Sequence, residues 1–172
     1  MNVSSHLPSL IAEATEKLRD RCGDRAVFEA RLLLGIVTGS DEAIYSHMSV
    51  QLTDQQIVQY ETLIAQRCAG KPISRIRGWR EFWSLRFHLN SATLDPRPES
   101  ELLIDKAISF AASQQIPHNQ QFRVLDLGTG SGCLLLACLS DLKHATGVGI
   151  DINKQAIIQA QINARSLHLQ AR

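Results

Sequence analysis

The chain has 172 residues, and its 18 Lys and Arg against 17 Asp and Glu leave a formal net charge of +1, which argues against a nucleic-acid footprint spread over the whole chain. A hydrophobic content of 44% is enough for a core, in one domain or in two small ones. The apolar runs are too short to span a bilayer, and Cys22, Cys68, Cys133 and Cys138 lack metal-ligand spacing, so no membrane span and no metal site are expected.

In chain order, residues 1–70 read as a helical bundle. Leu7, Leu10, Ile11, Ala14, Leu18 and Cys22 keep helical spacing, and Gly23 offers a stop. Asp24 is placed to cap a second helix with Val27, Ala30, Leu34 and Val37 inward, closing at Gly39. A short helical turn is expected over Asp41 to His47. Thr53 and Gln56 have the spacing of a capping box, opening a helix with Ile57, Tyr60, Ile64 and Cys68 inward and Gly70 at its end. His6 and His47 are isolated and read as surface or boundary residues. This part carries no recognisable chemistry and reads as a binding module.

The pattern changes over residues 71–95. Leu85, Phe87 and Leu89 alternate with Arg86 and His88 at the period of a half-buried strand, and Arg80 to Trp83 supply the other arm of a hairpin. Trp79 and Trp83 both fall here, which suggests a small aromatic core joining two domains. Arg67, Lys71, Arg75, Arg77, Arg80 and Arg86 crowd the same stretch with only Glu81 opposing them, as a solvated face or as a steering surface for an acidic partner. Next, Pro96-Arg97-Pro98 stiffens the chain into an arm, with Pro98 suited to a first helical turn and Glu99 and Glu101 to its positive end. Leu103, Ile104, Ala107, Ile108 and Ala111 form the stripe of that helix, and Ser113 to Gln121 is a polar linker.

The stretch from Val124 to Gly132, VLDLGTGSG, organises the remainder. A short apolar run breaks into glycines at Gly128, Gly130 and Gly132, and a helical pattern follows from Ser131 to Leu139. Strand, glycine loop and helix open a nucleotide-binding α/β unit, because the turn demands unusual backbone angles and a ligand must come close to the main chain. Asp151 follows the next strand, Val148 to Ile150, nineteen positions after Gly132, where an acid can accept from ribose hydroxyls. A dinucleotide fingerprint would run G-x-G-x-x-G, but Cys133 stands where its third glycine falls. The competing assignment is a structural turn with Asp151 capping a helix, a role in which asparagine would serve nearly as well. Even as a ribose acceptor, Asp151 should yield to asparagine with a milder loss than to alanine. Asn153 can cap a last helix carrying Ala156, Ile157, Ala160 and Asn163.

Together these blocks resemble the HemK-type protein-(glutamine-N5) methyltransferases, which methylate the glutamine of the Gly-Gly-Gln motif in peptide-chain release factors. Gly78 to Leu85, Pro96 to Glu101, and Asp126 to Gly132 with Asp151 carry the resemblance. The last block is shared by many S-adenosylmethionine enzymes, whereas the first two are particular to this family. Asp95 and Ser100 depart from it mildly. The resemblance implies an α+β chain with a helical substrate-binding domain at 1–70, a β-hairpin connector at 71–95, and the start of a Rossmann-like domain at 96–172. It implies S-adenosylmethionine as cofactor, with the amides of Gly128, Thr129, Gly130, Ser131 and Gly132 facing its methionine part. Asp126 would support the loop, Asp151 would take the ribose, and Pro96, Arg97, Pro98 and Glu99 would border the pocket. Release factors are the implied partner, for a cytoplasmic protein that is monomeric at full length and binds neither nucleic acid nor membrane.

The family's Asn-Pro-Pro-Tyr, which holds the substrate amide for in-line attack, does not occur in the sequence. No catalytic residue is therefore assigned, and the chain is expected to be inactive alone, as the N-terminal portion of a longer parent. The two strands are expected to expose an unpaired edge. A nucleic-acid amino-methyltransferase and a non-catalytic partner-binding fragment are the rival assignments.

Overall fold

A computed structural model describes residues 7–45, 48, 50–114 and 122–172. They fall into two compact units, Met1–Arg77 and Gly78–Arg172, with the mixed helix and strand content expected of an α+β chain.

In the first unit, α1 (Leu7–Cys22) buries Leu7, Ile11, Ala14 and Leu18 at three- and four-residue spacing. Gly23 takes a positive φ of 54° after it, and Asp24 lies inside a 3-10 turn rather than capping α2 (Ala26–Thr38), which has no side-chain cap. The buried arc of α2 comprises Ala26, Glu29, Ala30, Leu33, Leu34 and Val37, with Val27 exposed. It is turned relative to the expected stripe because Glu29 is drawn inward by a partner on α3 (Asp54–Cys68). Arg67 donates Nε to Glu29 Oε2 at 2.6 Å, and the Cys22 thiol donates to the same oxygen at 3.2 Å.

The expected helical turn after α2 is absent from Asp41 to Tyr45, and His47, like His6, lies outside the described residues. The chain instead doubles back across α2. The Ile44 N–H donates to the Arg31 carbonyl at 3.0 Å, Ala43 and Ile44 are buried, and a Cβ on Gly35 would collide with the Glu42 carbonyl. Tertiary burial overrides local helix preference here. Thr53 and Gln56 form the reciprocal capping box in full, and the buried Tyr60 hydroxyl donates to the Ala30 carbonyl at 3.0 Å. Cys68, expected inward, is exposed. A short α4 (Ile73–Arg77) ends the unit.

The second unit opens with β1 (Trp79–Phe82) and β2 (Leu85–His88), an antiparallel hairpin turned by Trp83 and Ser84, whose φ values are 54° and 55°. Two left-handed residues suit the twist of a two-residue turn, usually with Asn-Gly. Here outside anchors hold the turn: the Trp83 backbone N–H donates to Glu101 Oε1 at 2.9 Å and its indole N–H to Asp141 Oδ2 at 2.7 Å. Phe82 and Phe87 meet edge to face at 6.2 Å and are buried with Ile104, Leu136, Ala137 and Cys138. This aromatic cluster is built from residues of the second unit.

Pro98–Ser100 make a 3-10 turn into α5 (Glu101–Ser113), which buries Ile104 while Leu103 is exposed, against expectation. Most of the expected linker, residues 115–121, lies outside the described residues. Then follow β3 (Arg123–Leu127), α6 (Cys133–Asp141), β4 (Thr146–Ile150) and α7 (Lys154–Ser166). The two strands pair in parallel, Leu125 beside Val148 and Leu127 beside Ile150. Helix α6 packs on one face of the pair, close enough that a Cβ on Gly147 would strike Leu135.

Candidate functional site

Parallel pairing brings the ends of β3 and β4 together, so that the loop 128–132 and Asp151 leave the sheet side by side. This is the crevice outside the carboxyl ends of strands where α/β folds take ligands. The loop is tied down by its own polar groups. The N–H groups of Gly128 and Thr129 both donate to the Ile150 carbonyl, at 2.8 and 2.9 Å. Gly130 N–H donates to Asp151 Oδ2 at 2.9 Å, and Gly132 N–H to the Thr129 carbonyl at 2.8 Å. The Thr129 hydroxyl donates to Asp126 Oδ2 at 2.8 Å, so Asp126 supports the loop through Thr129.

Of the five loop amides expected to face a ligand, those of Gly128, Thr129, Gly130 and Gly132 are thus committed to protein acceptors. The glycines serve two purposes. All three have positive φ (78°, 56° and 80°), but a Cβ on Gly128 would meet nothing within 4 Å and one on Gly130 only the Gly128 carbonyl, at 4.0 Å. A Cβ on Gly132 would press against Leu136 at 3.0 Å and Ala160 at 3.2 Å. Gly128 and Gly130 leave open space beside the main chain; Gly132 lets α6 and α7 close behind it.

Asp151 does not cap α7. That place belongs to Asn153, whose side chain accepts from Gln155 N–H at 2.9 Å. Asp151 Oδ1 accepts from Asn153 N–H, also at 2.9 Å, so its carboxylate bridges the helix start and the glycine loop. The N–H groups of Asn153 and Gly130 hold this carboxyl below its ordinary range, outweighing a slight desolvation. An ionised carboxylate offers about four lone-pair sites. The bonds from Gly130 and Asn153 therefore leave it acceptor capacity.

Ser131 is buried, and its carbonyl accepts from the side chain of Asn163 at 2.8 Å. That residue was visible in the sequence only as a member of the α7 stripe. Its signal was a lone amide in line with Ala156 and Ala160. Beside the loop, burial pushes the Cys133 thiol up, with only partial relief from hydrogen bonds.

Of the expected pocket border, Pro96 is buried while Arg97, Pro98 and Glu99 are exposed at the approach to α5. Among the described residues no hydrogen bond ties these four to the glycine loop. The basic stretch is less open than its sequence suggests. Arg67 is paired with Glu29, Arg80 stands 4.0 Å from Asp95, and the Arg86 guanidinium lies 3.9 Å above the Trp79 ring. Among the described residues there is no cluster of three or more His, Cys, Asp or Glu fit for a metal, and no helix is long and apolar enough to cross a membrane.

Known proteins resemble this chain in sequence. Residues 9–78 match the family model described as PrmC N-terminal domain, and residues 118–171 match one described as Methyltransferase domain. The chain is 39% identical over 154 residues to the release factor glutamine methyltransferase of Bradyrhizobium diazoefficiens, covering 89% of this chain and 51% of that protein. The same-named proteins of Rhodospirillum rubrum and Escherichia coli are 41% and 39% identical over 145 and 140 residues, covering 84% and 81% of this chain and 43% and 48% of theirs. The chain spans about half the length of the relatives it matches.

Proposed function

We propose, taking the chain as a member of the release factor glutamine methyltransferase family, that it holds S-adenosylmethionine at the glycine loop for methylation of the glutamine side-chain amide in the Gly-Gly-Gln motif of release factors. The observation that carries this reading is the bridge from Asp151 to Gly130 at the paired strand ends, with open space at Gly128 and Gly130.

The donor set fits such a cofactor. S-adenosylmethionine supplies an electrophilic methyl group on a sulfonium, and its methionine end carries an ammonium. Loop amides already spent on protein acceptors suit a cationic group better than an anionic phosphate, because the open side then offers carbonyl oxygens and the nearby Asp126 carboxylate. Asp151 has acceptor capacity left for ribose hydroxyls. Pro96 to Glu99 border the pocket in this reading, and the helical part at 1–70 receives the substrate protein. The 71–95 stretch connects it to the Rossmann-like part at 96–172. The protein acts in the cytoplasm, as a monomer at full length, on a protein and not on nucleic acid. Because the 172 residues contain no Asn-Pro-Pro-Tyr, the chain alone binds cofactor without transferring its methyl group.

Calorimetric titration of the chain with S-adenosylmethionine and with NAD tests the cofactor. Saturable binding of the first alone is expected, and a folded chain that ignores it would overturn the reading. Incubation with labelled S-adenosylmethionine and a release factor should leave the release factor unlabelled. Labelling of its Gly-Gly-Gln glutamine would show that these residues suffice for transfer.

A further inference from the structure

We propose that Asn163 is the positioning residue of the glycine loop: its side-chain amide fixes the Ser131–Gly132 peptide and so holds the loop in the shape that receives the cofactor. This rests on the cofactor reading above. Asn163 is 0% exposed, on a helical stripe where an apolar side chain would be ordinary. A primary amide has one acceptor oxygen and two N–H donors. All are used here: Oδ1 accepts from His88 N–H at 2.9 Å, and Nδ2 donates to the His88 carbonyl at 3.0 Å and the Ser131 carbonyl at 2.8 Å. Only this orientation works, since a flipped amide would set its NH2 against the His88 N–H.

The Ser131–Gly132 peptide is therefore gripped at both ends, its carbonyl by Asn163 and its N–H by the Thr129 carbonyl at 2.8 Å. Thr129 is anchored in turn to Asp126. Without the Asn163 donor, the carbonyl of the buried Ser131 loses its partner, and a buried orphan acceptor is costly. The easiest relief is rotation of that peptide, because Gly132 has no Cβ to resist it. Rotation displaces Gly130, whose N–H orients Asp151. Asn163 touches neither ligand nor reacting atoms in this scheme; it acts through the loop.

The plainer role is structural, with the amide only fastening α7 to the end of β2. Asn163→Asp separates the two. A neutral carboxyl can accept from His88 N–H and donate to Ser131, whereas a carboxylate has no donor and faces two carbonyls. The affinity of N163D for S-adenosylmethionine should be about tenfold below wild type near pH 8 and should approach wild type near pH 5. Asp126, Asp151 and His88 are the same in both proteins, so the ratio reads the change made at residue 163. Asn163→Ala should bind about tenfold more weakly at both pH values. Its amide hydrogen exchange should speed up at Gly132 and His88 more than through α6 and α7 generally. Wild-type affinity in N163A, a flat N163D ratio, or uniformly faster exchange would overturn the proposal. If N163D does not fold, N163A and Asn163→Ser carry the test. If the wild-type chain binds no S-adenosylmethionine, the cofactor reading fails, and exchange at Gly132 still decides whether Asn163 holds the loop.

Discussion

Asp151 sits between two N–H donors, and this changes what its neutral analogue can do. Each oxygen already accepts one bond, from Gly130 and from Asn153. An asparagine would have to turn its NH2 toward one of those N–H groups, losing that bond and setting two donors face to face. The milder loss expected from sequence therefore does not follow. Asp151→Asn and Asp151→Ala should both weaken S-adenosylmethionine binding on the order of 10–100-fold, for loss of charge-assisted bonds. Titration of the two variants beside the wild type checks this, and near-normal affinity in D151N would leave the bridge without functional weight. The sign with pH follows from the same bonds. The folded carboxyl titrates below its unfolded value of about 3.9. Its contribution is present above that value and is lost as pH falls through the lower folded one.

Between elements, the strongest polar tie among the described residues of the first unit joins α2 to α3 through Glu29 and Arg67. Burial alone would raise the Glu29 carboxyl. Hydrogen bonds from Arg67 and Cys22, with the charges of Arg67 and Arg25, outweigh it and hold the carboxyl below its ordinary range. Stability from this group is thus complete above the unfolded glutamate value of about 4.3 and drains away as pH falls through the folded value. Arg67→Ala leaves a buried carboxylate short of its main partner and should cost about 3 kcal/mol near neutral pH. Glu29→Gln should flatten the acid side of the stability profile. Urea melts across pH measure both, and an acid limb unchanged in E29Q would assign that limb to other carboxylates.

This tie also shows where sequence stopped being legible. The capping box at Thr53, the glycine loop and the strand-end acid are signals within a few residues, and each was readable. The buried arc of α2 was not, because Val27 fits a helical stripe as well as Ala26 does. The choice is made by Arg67, thirty-eight residues from Glu29. The same holds for Asn163, which bonds to a residue seventy-five positions away, and for Asp41 to Tyr45, where burial across α2 overrode local preference. The loop amides were misjudged for a related reason. The acceptors of Gly128, Thr129 and Gly130 are Ile150, on β4, and Asp151 just beyond it, and no pattern within VLDLGTGSG reveals them.

At the scale of the whole molecule, the face of the parallel pair turned away from α6 departs from an ordinary surface among the described residues. Leu125, Leu127, Val148 and Ile150 are 62%, 70%, 54% and 49% exposed, and pairing sets them in two adjacent rows. Parallel strands are usually covered on both faces, and a contiguous apolar patch in water favours association. The chain by itself should therefore self-associate as its concentration rises, through this face as well as by the edge pairing expected from sequence. Replacing Leu125 and its neighbour Val148 together by Lys and Glu puts an opposite-charge pair on the face while leaving the helix-covered side untouched. The double variant should stay monomeric to higher concentration in sedimentation velocity, with the helical circular dichroism of the wild type. If the wild type is monomeric throughout, or if the variant associates equally, the driving surface lies elsewhere on the molecule.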